Sequence, residues 1–554
     1  MSNSERLVYL PLGGAGEIGM NTYLYGWGAP GRERWIIVDL GVTFPNMDSS
    51  PGVDLIMADV AFIQEKLDAV EAIFITHAHE DHIGALGILW GRVGRKPVYV
   101  RAFTGLVARA KLEGAGADES WIKVVGPMPD MVDAGPFRVG FLPVSHSIPE
   151  ASGLVIDCPA GRVLHTGDFK LDPAPQLGAA YRPEMFSDIA GDGVMALVCD
   201  STNVFSKDPG RSEADIIAQT EALISGAKGM VVATTFASNV ARLRTLAKAA
   251  TAAGRAVVVC GRAMHRMLGY AREAGVLADF PQTLAVEDSG DVPRDHLFVL
   301  ATGSQGEPRG AAASLARGPY LGLELAEGDL FLFSSKTIPG NEVSVGRIVN
   351  QLAEKGVDVV EDDPRFHVSG HANGPDLAAV HRLTNPALVV PMHGEFRHLK
   401  AHAEMARAAG RKAVVAPNGT MVDLSGDQGA VVEHVETGRT YLDGSVLIGA
   451  LDGVVRERIR MAIRGHVSVS LVFDEGGAPM DGVWIEQRGL PDSHEDGLEA
   501  YLEAEVEKSL SRASRKELRN DAAVEEFIGI AVRRACYAGI GKKPIVSVMI
   551  NRLE

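Results

Sequence analysis

An α/β fold of several domains is what this sequence predicts, and three observations carry that reading. Short apolar runs bounded by polar turns alternate with longer helical patterns over most of the chain. With 46% apolar and 23% charged residues, the chain has enough apolar material for full cores. At 554 residues, and with roughly 100–200 residues per domain, about three domains are expected.

Residues 1–208 form the first segment. There, 35–39, 72–75, 97–100 and 152–156 read as strands and 104–113 as a helix. Asp39 ends its strand, where aspartate often starts a turn. From 209 to 364 the pattern restarts. Residues 230–236, 256–260, 297–300 and 329–333 read as buried strands, and 239–250 as a helix. Such alternation predicts a parallel sheet with ligand contacts in loops at the strand C-termini. Residues 365–450 form a third segment, and a charged helical stretch at 453–459 lies in a linker, 451–465. The last part, 466–554, reads as an α+β module with strands at 467–473, 482–485 and 544–550 and helices at 498–510 and 520–536. It shows no catalytic clustering, so assembly is its expected role. His466 and His494 read as ordinary polar residues.

The strongest chemical signal is His77-Ala78-His79-Glu80-Asp81-His82, set between the run 72–75 and a helix start at 83–90. His77 and His79 can converge on one cation while Asp81 and His82 point to a second. Mixed nitrogen and oxygen ligands suit zinc or manganese, and a cation with an open position makes water acidic enough to attack an ester. A solvated polar turn is the bland alternative, but it gives no reason for three imidazoles in six residues. His146 and Asp168 follow two later strand-like runs. They supply a third imidazole for one metal and a carboxylate able to bridge two metals about 3.5–4 Å apart.

These residues, His-x-His-x-Asp-His followed by a separated His and an Asp, resemble the signature of the metallo-β-lactamase superfamily. Segments 197–203 around Asp200, 366–372 around His371 and 389–395 around His393 resemble the three motifs of its β-CASP nucleases. Segments 12–21 and 334–342 point the same way, and the set resembles the bacterial ribonuclease J family over about residues 8 to 445. The resemblance implies a metallo-β-lactamase αββα sandwich with an inserted β-CASP α/β domain and a small C-terminal α+β domain. It further implies two divalent ions, with zinc first and manganese or magnesium as alternatives. His77, His79 and His146 would hold one ion, Asp81, His82 and His393 the other, and Asp168 would bridge. Asp39 would orient this site. His371, Asp200 and Asp81 are the implied catalytic residues, and His367, Val368, Ser369, Gly370, His371 and Ser238 the implied substrate contacts. The implied activity is hydrolysis of single-stranded RNA from a 5′-monophosphate end, with some internal cleavage, in messenger RNA decay and ribosomal RNA maturation. The C-terminal module, large enough for its own core and without site residues, leads to the expectation of a homodimer or tetramer, closed two-fold symmetry being the commonest arrangement. RNA-degradation partners are expected as well. Competing readings are a β-CASP nuclease acting on DNA, a hydrolase of small esters or lactams, and a non-catalytic RNA-binding scaffold.

Other features narrow the field less. Cys158, Cys199, Cys260 and Cys536 lack CxxC spacing, which argues against a disulfide framework or a cysteine zinc site. No signal peptide or membrane-spanning apolar stretch is evident, so a cytoplasmic protein is expected. A net charge of −17 argues against generic electrostatic binding of nucleic acid. Local basic patches at Arg242 with Arg244, at Arg262 with His265 and Arg266, and at 456–460 compete with the reading of solvated helix faces. The glycine-containing loop 302–307 is a candidate anion loop, whereas 13–16 lacks nucleotide-motif spacing.

Overall fold

The computed structural model describes residues 4–425, 429–480, 482–492 and 497–553; His494 lies outside them. The chain divides into two compact units, Met1–Thr43 with Met57–Arg439, and Phe44–Ile56 with Thr440–Glu554.

Two sheets face each other in the larger unit. One runs Ala430–His434, Thr420–Asp423, Arg6–Gly13, Thr22–Gly28, Arg34–Val38, Val70–Phe74, Val98–Val100, Ile122–Val124. The other runs Met131–Ala134, Phe137–Pro143, Ser152–Cys158, Gly161–His165, Ala196–Asp200, Leu388–Met392, Lys412–Ala413. Period-two alternation explains the sandwich. Phe141, Leu154, Ile156, Val163 and Val198 turn inward against Tyr9, Tyr25, Ile36 and Phe74 of the facing sheet. Their neighbours Leu142, Val155, Leu164, Leu197 and Cys199 turn outward beneath Phe186, Leu377 and Val380 of helices Glu184–Ala190 and Gly374–Thr384. Helix Ala102–Gly114 packs against Ile122–Val124 on the other side. Strands apolar on both faces read in sequence as continuous apolar runs.

The insertion is a six-stranded sheet in the order Thr283–Leu284, Ala256–Cys260, Leu297–Ala301, Val231–Thr234, Leu330–Phe333, Asp358–Val360. Every neighbouring pair is parallel, as the strand–helix alternation predicts. Arg242, expected in a basic patch, is instead fully buried. Its Nε and Nη2 donate to Glu213 at 3.0 and 2.8 Å, and its Nη1 donates to the Ser334 carbonyl at 2.8 Å. Arg244 pairs with Asp279 at 2.6 Å. The single helix expected at 83–90 is broken into Glu80–Ile83 and Leu86–Leu89. The Ala85 amide donates to the Leu40 carbonyl at 2.9 Å, outside the helix.

In the smaller unit, His466–Phe473 pairs antiparallel with Trp484–Arg488 and parallel with Ile545–Arg552. Helices Leu498–Arg512 and Asp521–Ile540 cover that sheet through Leu502, Val506, Ile528 and Val532. The helix expected at 453–459 extends over Val454–Arg464.

Candidate metal centre

Each candidate ligand lies at or just beyond a strand's C-terminal end. Residues 77–82 follow Val70–Phe74, His146 follows Phe137–Pro143, Asp168 follows Gly161–His165, and His393 follows Leu388–Met392. Asp200 ends Ala196–Asp200, and His371 lies just before helix Gly374–Thr384. Two glycines permit the approach. A Cβ on Gly41 would stand 1.7 Å from the Asp81 carbonyl oxygen, and one on Gly370 would stand 2.8 Å from the His146 ring.

The structure brings the sequence-derived ligands into two adjoining groups. His79 Nδ1 lies 3.2 Å from His77 Nε2 and 3.1 Å from His146 Nε2. In the second group, His82 Nε2 lies 3.4 Å from Asp81 Oδ2 and 3.2 Å from Asp168 Oδ2, while His393 Nε2 lies 3.4 Å from Asp81 Oδ2. Asp168 Oδ2 is also 3.7 Å from His146 Nε2, so one carboxylate oxygen stands between the groups.

Hydrogen bonds at the far ring atoms fix several tautomers. His82 Nδ1 donates to Asp39 Oδ2 at 2.7 Å, His146 Nδ1 to the Gly370 carbonyl at 2.6 Å, and His393 Nδ1 to Asp168 Oδ1 at 2.6 Å. Their Nε2 lone pairs then face inward, the orientation a metal ligand requires. Lone pairs of neighbouring imidazoles at 3.1–3.2 Å repel unless a proton or cation sits among them. The donor set fits divalent metal ions.

The two groups differ electrically. Burial, with neighbouring imidazoles, holds His77 and His146 well below the usual histidine range and lowers His79 to about 4. Burial also disfavours charge on His82 and His393. There Asp168 and Asp81 overcome it, raising His82 well above its ordinary value and His393 to about 10. That proton affinity measures a negative potential which a divalent cation would feel more strongly, and proton and cation compete for the same Nε2.

Asp39 is buried beneath His82, where it also accepts from the Thr76 amide at 2.8 Å and hydroxyl at 2.9 Å. Asp39 and His393 carry φ of 63° and 46°, a strained region for side chains other than glycine. His371 Nδ1 donates to Asp200 Oδ2 at 2.8 Å. Burial opposes the charge on His371, but Asp200 outweighs it and raises the imidazole's proton affinity. Ser369 Oγ accepts from Asn203 Nδ2 at 2.7 Å and from the His371 amide at 3.1 Å. Ser238 of the insertion reaches His79 Nε2 at 3.1 Å. His367 and Val368 lie deeper in the same loop, with Val368 buried and His367 Nδ1 buried without a hydrogen-bond partner among the described residues.

Sequence reading missed two contributors. Asn21 Nδ2 lies 3.2 Å from Asp81 Oδ2, 3.0 Å from His82 Nε2 and 3.4 Å from His393 Nε2. Thr76 Oγ1 lies 3.0 Å from His77 Nδ1. The available signal was a polar residue abutting an apolar strand or following a glycine-rich turn. The candidate anion loop at 302–307 is closed by its own chain, since the Gln305 amide donates to Glu307 at 2.9 Å.

Fold and site together define a metallo-β-lactamase-type metallohydrolase with an α/β insertion. Family models agree: the metallo-β-lactamase superfamily matches residues 16–190 and the Zn-dependent metallo-hydrolase RNA specificity domain 364–417. The ribonuclease J β-CASP domain matches 228–352 and the ribonuclease J C-terminal domain 453–553. Ribonuclease J of Sinorhizobium meliloti is 41% identical over 100% of this chain and 98% of its own length. That of Mycolicibacterium smegmatis is 35% identical over 96% and 94%. A solved structure of a protein of unknown function from Enterococcus faecalis shares the fold, with a TM-score of 0.51 at 16% identity over 76% of this chain and all of its own. The chain belongs to the ribonuclease J family, and its class is that of a metal-dependent RNA nuclease.

Proposed function

We propose that this chain hydrolyses single-stranded RNA from 5′-monophosphate ends in the 5′-to-3′ direction, with some internal cleavage, using two ions. His77, His79 and His146 would hold one, Asp81, His82 and His393 the other, and Asp168 would serve both. The position of Asp168 Oδ2, 3.2 Å from His82 Nε2 and 3.7 Å from His146 Nε2, carries this reading. Zinc is the first choice, with manganese or magnesium as alternatives. When bound, such a pair supplies Lewis-acid charge and lowers the pKa of water. His371, its Nδ1 committed to Asp200, presents Nε2 toward substrate and delivers a proton to the leaving 3′ oxygen.

A seat for the 5′ phosphate is supported by His367 and its surroundings. Burial foremost, then Arg242, Lys336, Lys170 and Arg211, lowers its imidazole to about 3. Arg242 and Lys170 are paired with Glu213 and Asp172, so Lys336 and Arg211 carry the positive charge proposed to face a phosphate there. His367 Nδ1 and Ser335 Oγ are buried without hydrogen-bond partners among the described residues, and a phosphate would offer both an acceptor. Val368, Ser369, Gly370 and Ser238 complete the proposed substrate wall.

The wider reading places the enzyme in the cytoplasm, in messenger RNA decay and ribosomal RNA maturation, alongside RNA-degradation partners. Among the described residues no helix is long and apolar enough to cross a membrane. The functional partition proposed is 1–208 with 365–450 for the metal site, 209–364 for the inserted domain, and 466–554, after the 451–465 linker, for assembly into a dimer or tetramer. A chain ending at Ala450 should keep the metal ligands, run as a monomer in light scattering and cleave more weakly. Matched 5′-monophosphate RNA, 5′-triphosphate RNA and DNA test the activity directly. Mononucleotides released fastest from the first are expected. Equal cleavage of DNA, or indifference to the 5′ group, would overturn the proposed specificity.

A further inference from the structure

On the outward face of the second sheet, directly behind the strand-end rim, lies a further cluster of side chains able to ligate a metal ion. We propose that Cys199, His381 and His402 form an additional, buried metal site of the thiolate–imidazole type, suited to zinc. Their ligand atoms lie within 4.8 Å of one another, and each residue is at most 2% exposed. Cys199 comes from strand Ala196–Asp200, His381 from helix Gly374–Thr384 and His402 from helix Phe396–Ala408. The two rings stack at 7° with centroids 5.1 Å apart, which brings their Nε2 atoms to 3.0 Å.

Hydrogen bonding orients the pair as ligands. Ser201 Oγ donates to the Cys199 carbonyl at 3.3 Å, which leaves it to accept His402 Nδ1–H at 2.9 Å. The lone pair of His402 then lies on Nε2 and points at His381 Nε2. Without a cation, a single proton must hold these nitrogens together. A metal ion replaces that N–H···N bond, with the single proton of His381 moving from Nε2 to Nδ1 and the Cys199 thiol releasing its proton to solvent. Zinc–nitrogen bonds of about 2.0–2.1 Å require the nitrogens to part by a few tenths of an ångström and both rings to turn so that their lone pairs converge on the ion.

The surroundings act in both directions: burial, then Asp200, pushes the Cys199 thiol well above its ordinary range, so the ion must displace that proton, while the imidazoles are ready to bind. Burial lowers His381 to about 4 and holds His402 well below its ordinary range, so both imidazoles are neutral near pH 7. One sulfur and two nitrogens select a soft or borderline transition metal over magnesium or calcium, whose ligands are oxygens. The site would fasten the strand that ends in Asp200 to both helices, stiffening the carboxylate that orients His371. Its existence does not depend on the substrate or metal count proposed for the rim.

Cobalt(II) loading of the full-length protein provides the test, because the rim cluster contains no cysteine. Near-ultraviolet thiolate-to-cobalt charge-transfer absorption is expected from the wild type. Cys199→Ser should lose it, while Cys158→Ser and Cys260→Ser retain it. His381→Ala guards against a folding failure in the cysteine variant. By elemental analysis of the zinc-loaded protein, it should hold one ion fewer than wild type. A cobalt-saturated wild type without the band, or equal ion counts in wild type and His381→Ala, would overturn the site.

Discussion

The strand-end rim and the C-terminal module obey opposite rules. In the module, His466–Phe473 alternates residue by residue, with Val467, Val469, Leu471 and Phe473 buried and the residues between them half-buried. Its core is apolar throughout. The rim instead buries Asp39, His77, His82, Asp168 and Asp200 and holds Asp39 and His393 at positive φ. Buried charge and backbone strain both cost stability unless partners and surroundings compensate. The sandwich beneath the rim supplies that compensation through Asp39, Thr76 and the tightly packed Gly41. Rim residues should therefore govern chemistry, and module residues stability.

The largest effect should come from Asp168→Ala. Removing the shared carboxylate should empty both metal groups and lower activity by orders of magnitude, with the cooperative thermal transition retained. Elemental analysis that still finds a full complement of ions would break the contrast at its strongest point. His371→Ala should keep the ions and bind RNA nearly as well, yet lose roughly 10²–10⁴-fold in kcat. Unchanged turnover at saturating RNA would remove His371 from the chemistry. In the module, Leu502→Ala should cost about 2–5 kcal/mol by denaturant unfolding and leave the ion content intact. If ions are lost as well, rim and module are energetically linked and the contrast fails. The smallest effect concerns pH. Asp200 raises the proton affinity of His371, so His371 stays protonated to higher pH when that carboxylate is charged. Asp200→Asn should move the basic limb of the kcat profile to lower pH, and a limb that stays in place would separate Asp200 from the proton donor.

Much of this molecule was legible in one dimension. Apolar periodicity identified strands such as those at 35–39, 72–75 and 297–300, because sheets buried on both faces leave continuous apolar runs. It passed over Arg6–Gly13 and Thr22–Gly28. The hexapeptide 77–82 identified a metal centre because chelation needs several donors at short spacing, and local sequence can supply them. The ordered motifs around His146, Asp168, Asp200, His371 and His393 supplied the family. Tertiary closure decided the rest. Arg242 reads as a surface charge until Glu213, 29 positions away, makes its burial tolerable. Asn21 meets His393 only across 372 positions. Cys199, His381 and His402 lie on three separate elements, so no spacing rule unites them. Periodicity tells which face of an element is apolar; which polar groups meet depends on packing between elements, and that is a property of the folded chain.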